Sequence, residues 1–150
     1  MLTNKGKYGL KAMVHLAGLP PGTRIGVAEI AEAHRIPKKF LDAILGDLRN
    51  AGFVHSKKGP GGGYALARPA GEIRIGHVVR ALDGPLAPLP CASRTAYRPC
   101  EDCADEAACS VRLAMLAVRN SVADVLDNLT LEQMRALPHA QAAASLTYHI

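Results

Sequence analysis

The stretch from Val27 to Arg68 restricts the fold more than any other part of the chain. Val27, Ile30 and Ala31 recur at helical spacing as far as His34, and Phe40, Leu41, Ile44, Leu45 and Leu48 do so again after a break of about three residues. Pro37 sits in that break, where a helix start tolerates it because the missing N–H has no partner there anyway. Gly52 supplies the stop. Two helices joined by so short a turn have helix-turn-helix spacing. Phe53 to Lys57 and Tyr64 to Arg68 then read as two short strands around Lys58-Gly-Pro-Gly-Gly-Gly63, a glycine-rich hairpin tip. Helix, turn, helix and hairpin in this order predict a winged helix-turn-helix.

The remaining elements extend this plan. Leu2 to Gly18 is an amphipathic helix with Leu10, Met13, Val14 and Ala17 inward, ended by Pro20, Pro21 and Gly22. Ile75 to Leu82 is a short helix broken by Asp83-Gly84-Pro85. The longest helix runs from Cys109 to Leu129, where Val111, Met115, Val118, Val122, Val125 and Leu129 alternate steps of four and three, a 3.5-residue repeat. Leu113, Leu116, Ala117 and Leu126 form a second apolar set off that seam. One helix thus offers more apolar surface than a small domain needs to cover, and Val111, Met115, Val118, Val122 and Val125 are the expected homodimer interface. Thr130 with Gln133 is a capping-box pattern opening a last short helix that Pro138 is expected to end, leaving a weakly ordered tail.

With 150 residues, 49% apolar but only 4% aromatic, and no Trp, the core must be built from Ala, Leu, Val and Ile. The expected fold class is therefore mainly α with a small β wing, a winged helix-turn-helix plus a long dimerisation helix. The expected divisions are 1–83 (winged helix-turn-helix), 84–108 (cysteine-bearing loop), 109–138 (dimerisation helix and short C-terminal helix) and 139–150 (tail).

Charge is distributed unevenly. Up to Arg68 there are eleven Lys or Arg against four acids, and from Pro69 onward seven Arg against nine acids; every lysine lies at or before Lys58. A basic front half suits a polyanion, since neutralising phosphates releases counterions and gives sequence-independent affinity. The expected partner is double-stranded DNA. Lys38, Lys39, Phe40 and Asp42 occupy the start of the second helix of the helix-turn-helix, which places its N-terminal residues against base edges. Asp42 suits a cytosine amino group rather than a phosphate. Thr3, Lys5 and Lys7 at the first helix, and Lys57, Lys58 and Gly59 at the wing, are the expected backbone clamps.

The cysteines stand at Cys91, Cys100, Cys103 and Cys109, within 19 residues and among Glu101, Asp102, Asp105 and Glu106. Negative surroundings raise thiol pKa and disfavour a bare thiolate, whereas a bound cation reverses that penalty. All-sulfur ligation suits an iron-sulfur cluster or zinc. A disulfide-forming sensor is the metal-free alternative. His15, His55, His77, His139 and His149 show no ligand spacing and read as structural or solvated.

No run of about 18 apolar residues occurs, and the N-terminus lacks the plan of a secretion signal, so a cytoplasmic protein off the membrane is expected. The glycine tip lacks the Gly-Lys-Ser/Thr ending of a phosphate-cradling loop and leads into a strand. No catalytic Ser/His/Asp or paired-carboxylate set stands out, and the C-x2-C pair lacks a thioredoxin-like context. These features argue against an enzyme and a small-molecule substrate.

AEIAEAHRIPKKFLDAIL, the wing KKGPGGGYALARP with IRIGHVVRALDGP after it, and the cysteine loop leading into a long helix ending DNLTLEQM together resemble one family. It is the group of winged helix-turn-helix regulators that includes the cysteine-metabolism repressor CymR, the iron-sulfur cluster regulator IscR and the nitric-oxide sensor NsrR. The resemblance covers about Leu2 to Leu137. It implies a homodimer on a near-palindromic operator, with a metal-bearing branch that holds an iron-sulfur cluster on three loop cysteines and a variable fourth ligand. Cys91, Cys103 and Cys109 fit the three, and Cys100 is extra. Arg112 stands where the cluster regulator has a histidine, and Lys7 where the nitric-oxide sensor has a carboxylate. The resemblance therefore implies Cys100 as the fourth ligand, with His34 a remote candidate, and a cluster that is 2Fe-2S in preference to 4Fe-4S.

Overall fold

The computed structural model describes residues 2–147. Helix α1 (Asn4–Ala17) opens where the Thr3 hydroxyl accepts the Gly6 amide at 3.2 Å, satisfying one of the donors a helix start leaves free. Helices α2 (Val27–His34) and α3 (Lys38–Asn50) are separated by Arg35, Ile36 and Pro37. Arg35 takes a left-handed conformation, φ 54°, to reverse the chain, and Ile36 is buried beneath the turn. The hairpin pairs β1 (Val54–Lys57) with β2 (Gly63–Leu66), antiparallel, from Val54 opposite Leu66 to Lys57 opposite Gly63. Helix α4 (Ile75–Asp83) precedes the cysteine loop, which carries two 3-10 turns, Pro90–Ala92 and Glu106–Ala108. Helices α5 (Ser110–Asn128) and α6 (Leu131–Thr147) complete the chain. The result is the mainly helical winged fold that the sequence predicts.

One core unites the front of the molecule. Met13, Ile30, Leu41, Ile44, Leu45, Leu48, Ile73, Ile75, Val78 and Leu131 are each wholly buried. Burying a side chain of this size contributes about 1.5–3 kcal/mol, so this cluster dominates the stability. Leu131 joins it because α6 begins with the expected capping box: the Thr130 amide donates to Gln133 Oε1 at 2.9 Å and the Gln133 amide to Thr130 Oγ1 at 3.1 Å.

The structure corrects four expectations. First, the buried face of α1 is Ala12, Met13 and Leu16 together with Gly6 and Gly9, while Leu10, Val14 and Ala17 are only half-buried. The glycines are the reason: a Cβ on Gly9 would press on the Leu82 side chain and come within 3.3 Å of Ile44, so α4 and α3 pack where α1 has no side chain. Second, Phe40 lies outside the apolar set of α3, 38% exposed and edge-on to Tyr8 with ring centroids 5.7 Å apart. Third, β2 covers Gly63–Leu66 rather than Tyr64 to Arg68, because the ladder runs out opposite Val54. Fourth, α6 passes through Pro138 and continues to Thr147, so residues 139–147 are helix and not tail. A proline inside a helix removes one backbone bond, but Ala140, Ala142, Ala143 and Ala144 are the strongest helix formers. Residues 148–150 of the expected tail, with His149, lie outside the described residues.

Candidate nucleic-acid interface and cysteine loop

The start of α3 projects from the core with its cations outward. Lys38, Lys39, Asp42 and Ala43 are exposed, while Leu41, Ile44, Leu45 and Leu48 anchor the opposite side. Lys38 Nζ lies 3.3 Å from Asp42 Oδ2, one turn on, which gives Asp42 a partner within its own helix. Arg35, exposed in the turn just before α3, adds a cation that helical periodicity did not mark, because it lies in no helix.

The wing is tied to this head by backbone. Tyr64 donates its amide to the Ile25 carbonyl at 2.8 Å and accepts the Ile25 amide at 3.1 Å, so the segment before α2 acts as a third, single-bridge strand. Gly63 makes this possible: its φ is 130°, and a Cβ there would lie 2.5 Å from the Ile25 carbonyl oxygen. Lys57, Lys58 and Gly59 remain exposed at the tip.

The α1 residues are more committed. Thr3 caps the helix, and its amide donates to Asp83 Oδ2 at 2.9 Å while its hydroxyl bonds the other Asp83 oxygen. Lys5 Nζ is 2.7 Å from Asp47 Oδ2 on α3. Lys7 lines an apolar groove of about 370 Å³ with Leu10, Val14, His34 and Met134. The sequence reads His15 as structural or solvated and His34 as a remote ligand candidate; the structure hydrogen-bonds them to each other, His15 Nδ1 to His34 Nε2 at 3.0 Å, across α1 and α2. Burial, then the proximity of His15, holds the His34 pKa below the ordinary histidine range.

In the loop the four cysteines are free, and one pair of sulfurs is in contact. Cys91, only 2% exposed, has its Sγ 3.8 Å from that of Cys100. The bond to Cys91 pushes the Cys100 thiol up to about 11; desolvation, then the neighbouring Cys109 thiol, raises Cys103. Cys109 Sγ accepts the Arg112 amide at 3.5 Å and so caps α5. Two residues outside the sulfur set organise the loop. The Arg112 guanidinium donates to the Cys91 carbonyl at 3.0 Å, and Glu106 accepts the Cys100 amide at 3.3 Å and the Tyr97 hydroxyl. The absence of a ligand at Arg112 was legible; its pinning of Cys91 to α5 was not.

Along α5, Arg119 and Ala123 are the buried residues. Val111, Val118, Val122 and Val125 are exposed, by 62%, 44%, 37% and 64%. Met115 is half-buried, and Leu129, at the end of the seam, packs against the core instead. Arg80 on α4 grips Asp127 on α5 with a bidentate pair at 2.6 and 2.9 Å.

A profile of the Rrf2 family, described as an iron-dependent transcriptional regulator, matches residues 2–136. The chain belongs to the Rrf2 family. It is 47% identical over 139 residues to an rrf2-like HTH-type transcriptional regulator of Rhodobacter capsulatus, covering 91% of this chain and 93% of that one. Among solved structures it is similar to CymR, the global cysteine regulator of B. subtilis, with 31% identity, a TM-score of 0.75 and coverage of 91% and 97%. It is also similar to T. potens IscR, with 29% identity, a TM-score of 0.72 and coverage of 95% and 90%. An Rrf2 protein is a transcriptional regulator and not an enzyme.

The family description implies iron, and the donor set fits it. Four unbridged sulfurs on one loop are soft ligands, which suit iron by their chemistry. Among the described residues, no three His, Cys, Asp or Glu side chains are grouped closely enough to hold a metal ion as they stand. No helix among them is long and apolar enough to cross a membrane.

Proposed function

We propose that this Rrf2 regulator is a homodimer that binds a near-palindromic duplex operator, with an affinity set by an iron-sulfur cluster, 2Fe-2S in preference to 4Fe-4S, on Cys91, Cys100, Cys103 and Cys109. The observation that carries this reading is the presence of two separate features: outward cations on α3 and the wing, and a cysteine loop that leads into a helix with an uncovered valine stripe. Lys38, Lys39 and Phe40 enter the groove; Lys57, Lys58 and Gly59 hold phosphates beside it. Thr3 and Lys5 act through α1, as cap and as brace of α3, and Lys7 stands beside them. Val111, Met115, Val118, Val122 and Val125 meet their copies across the dimer axis.

The cluster, when bound, supplies a centre sensitive to redox state, iron supply or nitric oxide. The chain's own residues carry the message. Arg112 ties the Cys91 turn to the first turn of α5, Cys109 caps that helix, and Arg80–Asp127 couples its far end to the head. A change in loop order therefore moves α5, and with it the spacing of two heads on the duplex. Couplings of about 1–3 kcal/mol change occupancy roughly 5- to 150-fold, which is enough to switch a gene.

Anaerobic purification with iron and sulfide counting, followed by gel shifts of loaded and metal-free protein on DNA selected from random duplexes, tests this. Visible absorption, acid-labile sulfide and unequal operator affinities are expected. A colourless protein that resists reconstitution, or equal affinities, refutes the sensing. The second reading is a zinc-bound or metal-free thiol repressor, supported by the likeness to CymR; stoichiometric zinc would select its metal-bound form.

A further inference from the structure

We propose that Cys91 and Cys100 join in a reversible disulfide when the loop carries no metal, which withholds half of the sulfur set from ligation. Their Sγ atoms already touch at 3.8 Å. An S–S bond of about 2.0 Å needs only a short closing movement, and the two sides are unequal. Cys91 is buried in its 3-10 turn with its carbonyl held by Arg112. Cys100 is exposed, fastened by one backbone bond to Glu106. Oxidant arriving from solvent meets Cys100, and Cys91 stands behind it as the resolving thiol. Cys109 is occupied in capping α5, and Cys91 with Cys100 is the sulfur pair that the structure brings into contact. All four cysteines lie at or beyond Cys91, so thiol chemistry reaches the DNA-reading head only through this loop and α5.

The reaction balances with a hydroperoxide. The Cys100 sulfur attacks the O–O bond as its thiolate, which its raised pKa of about 11 keeps scarce near neutral pH, becoming a sulfenic acid; its proton goes to the departing oxygen, which leaves as the alcohol, or as water from hydrogen peroxide. The Cys91 sulfur then displaces the hydroxyl as water, and the S–S bond forms. Two thiols lose two electrons and the peroxide bond takes both; a dithiol reductant reverses the step. The consequence for metal loading rests on the ligand set given under Proposed function, whereas the bond itself does not.

The test uses the reduced, metal-free, full-length protein treated with hydrogen peroxide, alkylated and cut with trypsin. Cleavage after Arg80, Arg94 and Arg112, with Arg98 protected by Pro99, puts Cys91 on peptide 81–94 and the other three cysteines on 95–112. A linked pair of these peptides with two alkylated thiols is expected, cleaved by dithiothreitol, lost in Cys100→Ser and kept in Cys103→Ser with Cys109→Ser. Cys91 left alkylated, or a link that survives Cys100→Ser, overturns the proposal. The oxidised protein should then take up at least about tenfold less iron and sulfide than the reduced protein; equal uptake overturns the withholding. If even the reduced protein takes up none, the ligand reading fails, while the linked peptide still decides the bond.

Discussion

The front and the back of this molecule are finished to different degrees. In the front, α3 buries Leu41, Ile44, Leu45 and Leu48 completely and turns only its cations outward. In the back, α5 is longer yet buries Arg119 and Ala123, and leaves four valines of its 3.5-residue repeat in solvent. Exposed apolar residues in a row along one helix mark an interaction surface. The front is closed as a single chain; the back leaves an apolar stripe for a second copy to cover.

The sharpest way to break this contrast is to truncate one residue in each half. Leu45→Ala should cost about 2–5 kcal/mol in denaturant unfolding. Val118→Ala should leave the fold within about 0.5 kcal/mol, and Val118→Asp should shift a folded protein toward monomer in sedimentation. If Val118→Ala destabilises as much as Leu45→Ala, the valine stripe is core and the contrast fails.

Gly63→Ala tests whether the wing is fixed to the head. The new methyl meets the Ile25 backbone at a left-handed φ, so a loss of about 1–3 kcal/mol, with faster amide exchange at Tyr64, is expected. Unchanged exchange would mean that the Ile25 bridge does not hold the wing.

Smaller effects sharpen the electrostatic side. Lys58→Ala should weaken binding on all duplex sequences alike and reduce the salt slope of log K by about 1, with unchanged melting. A sequence-dependent loss would instead make Lys58 a base reader.

The link between the halves should respond least. Arg80 holds the Asp127 carboxyl below the ordinary carboxylate range, chiefly through its hydrogen bonds. A lowered folded-state pKa gives stability that is present above the unfolded value of about 3.9 and lost as pH falls through the folded one. Because Asp127 is partly exposed, Asp127→Asn should cost no more than about 1 kcal/mol at pH 7. The difference from the unaltered protein should vanish in acid. A difference that persists there would assign the cost to packing.

Much of this was legible in the residues. The three-residue turn between α2 and α3, the capping box at Thr130, the hairpin around its glycines and the exposed stripe on α5 follow from periodicity and local backbone chemistry, which act over a few residues. The candidate site divides along the same line. Lys38, Lys39, Lys57 and Lys58 are outward because local pattern puts them there. Thr3 and Lys5 look the same in sequence but are spoken for by Asp83 and Asp47, 80 and 42 positions away in the chain.

The sequence by itself determined the order of elements, the sign of each half and the presence of four clustered thiols, because these depend on composition and near neighbours. Only the tertiary structure decided which face of α1 is inside, since glycine contacts leave no apolar mark. It alone carried α6 through Pro138, tied the wing to Ile25, and brought Cys91 against Cys100. Each of those outcomes depends on where distant segments come to rest, and spacing along a chain does not encode that distance.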